Sequence, residues 1–226
     1  MQRAAAFGAA LATLDLYAVL DAHGLVEEAR AQTPDLTHDT LSGLVAFVSP
    51  GDDAYSVAQG ERAGGPGGIA AAAVEALING LDHYVPAETF GGSATIPASG
   101  GVATLLNSYA ERVNPLPLHG TFPSPFARLS FAEKAKVFEM WETDPTQQGS
   151  ELRFVAGILP GFATFLSYSE VGVRDNARHR LTGRPVGWDI ARYSGVAEGR
   201  DELRGYYHGH RSAAKPRRRR RRRRRR

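Results

Sequence analysis

The 226-residue chain is 42% hydrophobic and carries 27 lysine and arginine residues against 24 acidic ones, a formal net charge of +3. Ten of the arginines form the run 217–226; without it residues 1–216 hold 17 basic and 24 acidic groups, net −7, so the basic isoelectric point does not imply a basic folded surface for nucleic acid or membrane. The absence of cysteine excludes disulfides, thiolate metal sites and covalent haem attachment, and the apolar runs 4–14 and 154–166 are shorter than the roughly 20 residues that cross a bilayer.

The pattern predicts a mainly α protein: a single-domain helical assembly over residues 1–212 with long Gly/Pro-rich loops and a loop-rich C-terminal segment. Like-charge repulsion predicts a disordered polyarginine tail over residues 213–226, able to bind polyanions without specificity. Phe7, Leu11, Leu14 and Ala18 recur at helical spacing, so a first helix is expected from about residue 4 to 30, weakened at Gly24. Arg3 ahead of an apolar stretch, with Ala29-Arg30-Ala31 behind it, gives residues 1–31 a signal-like character and favours export to the periplasm or cell envelope, although Asp15, Asp21 and His23 interrupt it. Thr33-Pro34 is read as the stop of this helix and residues 35–39 as a polar connector.

Leu41 to Val48 is read as helical, although its Val and Phe content also suits a strand, and residues 49–53 as a turn. The glycine-rich stretch 64–68 reads as a flexible lead-in to a helix with Ile69, Ala73, Leu77, Leu81 and Val85 on one face, Pro66 lying near its first turn. It lacks the Gly-Lys-Ser/Thr of a phosphate-binding loop. Val102, Leu105, Leu106, Tyr109 and Val113 predict a helix stopped by Asn114-Pro115. Four prolines between 115 and 125, interleaved with Leu116, Leu118, Phe122 and Phe126, predict a stiff apolar loop that covers its own domain or a partner.

Ser130-Phe131-Ala132-Glu133 is a capping box, opening a helix to about Glu142 with Phe131, Ala135, Phe138 and Trp141 along its core face. The span 152–171 predicts a last long helix, kinked or broken at Pro160-Gly161. From Gly172 onward, glycine, arginine and aromatic residues without helical period predict an ordered loop.

No Gly-x-Ser-x-Gly turn occurs, and no two of the seven histidines have the spacing of a hydrolytic zinc site, so the sequence nominates no catalytic residue, cofactor or metal ligand. The densest local feature is residues 183–195, where Gly187-Trp188 and Tyr193-Ser194-Gly195 set aromatic area on a backbone suited to tight turns. This arrangement, with Phe162, Phe165 and Tyr168 in the helix before it, resembles the small (gamma) subunit family of gluconate 2-dehydrogenase over residues 129–207. The resemblance implies a non-catalytic accessory or chaperone-like subunit without flavin or haem, partnering a large flavoprotein oxidoreductase. Phe122, Phe126, Gly187, Trp188, Tyr193 and Gly195 are then the expected partner-binding residues. Two other readings stay open: a small stand-alone enzyme with a dispersed His/Asp site, and a nucleic-acid or membrane binder acting through polyarginine.

Overall fold

The computed structural model describes residues 16–84, 89–90, 94–116, 121–145, 152–175 and 177–193. The chain separates into a unit over residues 1–191 and a second over residues 192–226, of which only Arg192 and Tyr193 are described. The first is mainly helical, as its periodicities require. Two short helices, α1 (Leu16–Ala22) and α2 (Val26–Ala31), meet at Gly24, whose φ of +67° is a left-handed conformation that glycine adopts at little cost. The expected single helix is therefore interrupted where its sequence is weakest.

Pro34 begins a helix rather than ending one. Thr33 is the N-cap of α3 (Pro34–Val48), its Oγ1 accepting from the Leu36 N–H at 3.2 Å, and Pro34 occupies the first turn, where a missing N–H costs nothing. The stretch 35–39 is consequently helical, and the helical reading of Leu41–Val48 holds. Ser49 to Asp53 turns as its composition predicts, and Asp53 then caps the short α4 (Ala54–Ala58) by accepting from the Ser56 N–H.

The glycine-rich stretch is open at Gly64 and Gly65 but closely packed at Gly67 and Gly68. Gly67 lies with its backbone against that of Gly51, where a Cβ would sit 2.6 Å from the Gly51 nitrogen, so glycine is required on packing grounds. The following helix, α5 (Ala73–Tyr84), starts later than Ile69. A two-stranded ribbon, β1 (Thr89–Phe90) and β2 (Ala94–Thr95), pairs antiparallel with Thr89 opposite Thr95. It precedes α6 (Ala98–Val113), which ends at Asn114 as expected.

The capping box of α7 (Phe131–Thr143) is complete: Ser130 Oγ accepts from the Glu133 N–H while Glu133 Oε2 accepts from the Ser130 N–H at 2.9 Å. Its buried face is turned by about one residue from the expected one. Lys134, Val137, Phe138 and Trp141 point inward, whereas Phe131 is exposed at the edge beside Phe47. The last long helix, α8 (Leu152–Tyr168), continues through Pro160 without a break.

Helices α3 and α6 form the centre. The former packs on α5, α6 and α8; the latter also meets α1, α2 and α7. Such surrounded helices need small or apolar side chains on every side, hence Gly43, Ala46, Gly100, Gly101 and Ala103 among their buried positions. The core runs from Leu20 and Leu41 through Leu77, Leu105 and Tyr109 to Trp141, Leu159 and Ala163. Trp141 stacks on Tyr109 with ring centres 5.7 Å apart.

A polar layer crosses this core. Asp39 accepts from Tyr55 Oη at 2.7 Å and from the Ser124 N–H at 2.8 Å, and Asn107 Oδ1 accepts from Ser124 Oγ and the Phe126 N–H. These bonds draw the loop 121–130 down onto α3 and α6, satisfying backbone groups that burial would otherwise leave costly. Close by, Lys134 is 0% exposed and donates to the Gly43 carbonyl at 3.1 Å and to Gln59 Oε1 at 2.8 Å.

Candidate partner-binding surface

After α8, the chain turns through a 3₁₀ helix (Val171–Val173) into a small hairpin of β3 (Arg174–Asp175) and β4 (Arg180–Leu181), then forms α9 (Val186–Ile190). Residues 171–190 are thus built of short elements. What returns α9 to the body is Gly187, which is buried against the end of α8: a Cβ there would lie 2.6 Å from the Tyr168 carbonyl carbon and oxygen. Only a residue without a side chain permits that approach. Arg184 fixes the neighbouring surface by donating from Nε to Asp189 at 2.7 Å and placing its guanidinium 5.7 Å from the Trp188 ring centre.

From Val155 to Ser169 the described outer face of α8 is apolar, and Glu170 is the first charged residue after it. Phe165 is 40% exposed, Tyr168 45% and Val171 39%, and no charged residue occurs from Val155 to Ser169. Phe165 and Tyr168 are three apart and share one helix face. With Trp188 half-buried beside the Gly187 contact, the surface offers aromatic area on a backbone held by close packing.

The expected partner-binding residues divide accordingly. Gly187 and Trp188 lie at this surface, and Tyr193 is 45% exposed in the second unit. Gly195 lies outside the described residues. Phe122 is half-buried, its ring stacked on Tyr55 with centres 4.1 Å apart. Phe126 is 0% exposed, edge-on to Phe138, and is a core residue with no surface to give a partner. Val171 and Arg184 were not legible as contributors, since their placement follows from the return of α9 and not from any local period.

A second feature is a cleft of about 390 Å³ between the first turns of α3 and α6, lined by Ala29, Gln32, Asp35, His38, Ile78 and Pro97 among others. Gln32 Nε2 is buried there without a hydrogen-bond partner. Asp82, on its rim, accepts from the Ser99 N–H at 2.8 Å and from Ser99 Oγ at 3.1 Å, and so caps α6, whose N-cap Pro97 supplies no side-chain acceptor. His38 stands between Glu75 (3.5 Å) and Ser42 (3.4 Å), a serine–histidine–carboxylate order. Ser42 is only 1% exposed and does not line the cleft, so its hydroxyl is not presented to a substrate. His83 is exposed and also lies outside the cleft lining. Among the described residues no three His, Asp or Glu side chains gather as a metal site, and no helix is long and apolar enough to cross a membrane.

The sequence matches no protein-family model and no curated protein, and the fold matches no solved structure.

Proposed function

We propose that this chain is a non-catalytic accessory subunit that binds a large flavin-dependent dehydrogenase, with the outer face of α8, the turn at Val171 and the Trp188 segment as its contact surface. The observation that carries this reading is the uncharged stretch from Val155 to Ser169, whose exposed positions include a phenylalanine and a tyrosine. An exposed aromatic stripe on an otherwise acidic body supports binding to another macromolecule. The likeness of residues 129–207 to the small-subunit family supports the class of partner.

The test is co-expression of the full chain with flavin-dependent dehydrogenases of its own organism and co-purification of any complex, followed by titration. Tyr168→Ala with Trp188→Ala should weaken binding by about tenfold or more, as expected for central aromatic anchors. Unchanged affinity in a double variant that melts like the parent refutes the surface.

The cleft between α3 and α6 favours a second reading, a small-molecule site, because Gln32 Nε2 lacks a partner there. A ligand in that cleft would raise the melting temperature of the parent chain and not of a Gln32→Leu variant. Absence of any such ligand in a metabolite screen counts against it.

A further inference from the structure

We propose that the cleft between the first turns of α3 and α6 binds a small organic amine that also carries a carbonyl oxygen and an apolar body. This rests on the small-molecule reading of that cleft, not on the accessory-subunit reading, and adds to it the chemistry of the ligand.

The floor of the cleft keeps space that the packing of the helices does not need. At Gly43, Gly80 and Gly101 an added Cβ would lie 2.8, 2.7 and 2.6 Å from atoms of Ala127, Phe162 and Leu16, so glycine is required there. Gly100 is different. It is buried in the first turn of α6, yet a Cβ would meet only Gln32 Cγ at 3.8 Å, Thr37 Oγ1 at 3.9 Å and Pro97 Cδ at 4.0 Å, ordinary contacts with residues that line the cleft. Alanine would fit and would favour the helix more than glycine does, so the missing methyl group serves the open space and not the fold.

The lining states what suits the volume of about 390 Å³. Ala29, Pro34, Ile78 and Pro97 give it apolar wall. Gln32 Nε2 is buried without a hydrogen-bond partner, so turning that amide toward a carbonyl oxygen makes a bond and breaks none. Among the described residues the titratable groups lining the cleft are Asp35, His38 and Asp82, with no lysine or arginine. Glu75, outside the lining, adds a carboxylate 3.5 Å from His38. Arg30, two residues before Gln32, is engaged by Glu27 at 2.6 Å. The positive ends of α3 and α6 supply about half a unit of charge each, which two full carboxylates outweigh, so a cation is favoured over an anion.

The experiment titrates the full chain by calorimetry in neutral buffer with N-benzoylputrescine and two analogues of matching length, uncharged N-pentylbenzamide and anionic N-benzoyl-γ-aminobutyrate. Expected is binding of the amine, with the uncharged analogue about three- to fivefold weaker, as an exposed ion pair allows, and the anion weaker still. Asp35→Asn should remove most of the difference between amine and uncharged analogue, and Gln32→Leu should weaken both alike. Gly100→Ala should weaken the amine by about tenfold while melting at or above the parent's temperature. A lower melting temperature in Gly100→Ala would show that packing requires the glycine and would overturn the argument from open space. Equal affinity for the amine and the uncharged analogue, or tighter binding of the anion that Gly100→Ala abolishes, overturns the amine and leaves the cleft as a ligand site. Binding of the amine that Gly100→Ala leaves unchanged, or no binding of any of the three at millimolar concentration, overturns the cleft and the amine together.

Discussion

The buried Lys134 makes stability depend on pH in an unusual direction. Removal of its ammonium from water lowers the pKa to about 7 from the ordinary 10.5, the carboxylates of Asp53 and Asp39 opposing the shift without cancelling it. The unfolded chain therefore binds more protons than the folded one between about pH 7 and 10.5, and in that interval stability must rise with pH. The slope approaches about 1.4 kcal/mol per pH unit, and the gain from pH 7 to 9 is on the order of 2 kcal/mol. Urea unfolding at pH 6, 7, 8 and 9 at constant ionic strength measures this directly, because a change in midpoint at constant slope reports stability. Lys134→Met should flatten the profile. The variant strands Gln59 Oε1, so its absolute stability does not decide the matter; its pH dependence does. A parent protein as stable at pH 7 as at pH 9, or a slope that persists in Lys134→Met, would refute the argument.

Above pH 10 the sign reverses. Desolvation and hydrogen bonds to Asp39 and Asp144 push Tyr55 up to about 12 and Tyr109 higher still, so the unfolded chain loses phenolic protons first and stability falls; the maximum should lie near pH 10 by the same urea series. Ser130→Ala removes the acceptor that closes the first turn of α7 and should cost about 1 kcal/mol, read as a fall in the melting temperature. Gly187→Ala must push α9 off the end of α8; binding to the flavoprotein should drop while the melting temperature moves little, and tight binding by this variant would contradict the contact. Asp39→Asn leaves the burial of Tyr55 in place but removes its charged acceptor, so ultraviolet titration should find Tyr55 ionising at lower pH than in the parent, and the fold should lose about 2 kcal/mol.

Local chemistry was the legible part of this fold. The capping box at Ser130, the stop at Asn114 and the turn at 49–53 each depend on neighbours in sequence, and each formed. The Thr33-Pro34 pair shows why a boundary signal can be read backwards: the same dipeptide disfavours continuing one helix and favours starting another, and only the Leu36 N–H on Thr33 Oγ1 distinguishes them. Long-range partners were illegible. Asn107 and Asp39 take the backbone N–H groups of Phe126 and Ser124, turning the proline-rich loop inward, and nothing in the loop itself states which of Phe122 and Phe126 will be buried. The inward turn of Lys134 likewise needs acceptors 75 and 91 residues away in sequence.

Two neighbouring helices bear on what the outer surface is for. On α7 the exposed positions include Lys136, Glu139 and Glu142, the composition a helix adopts when its outer face meets water. Among its described side chains, its neighbour α8 exposes Gly157, Phe165 and Tyr168, although the packing of its inner face through Leu159, Ala163 and Ser167 does not require them. Burial in the body thus accounts for one face of α8 and leaves the other unexplained. Scattered exposed apolar residues are ordinary on any protein, but here they lie one helical turn apart, with Val171 following and Trp188 brought in by the Gly187 contact. Replacing Phe165 and Tyr168 with glutamate would test this economy. If the face serves only the body, the variant should unfold earlier; if it serves a partner, the melting temperature should hold within a few degrees while the complex is lost.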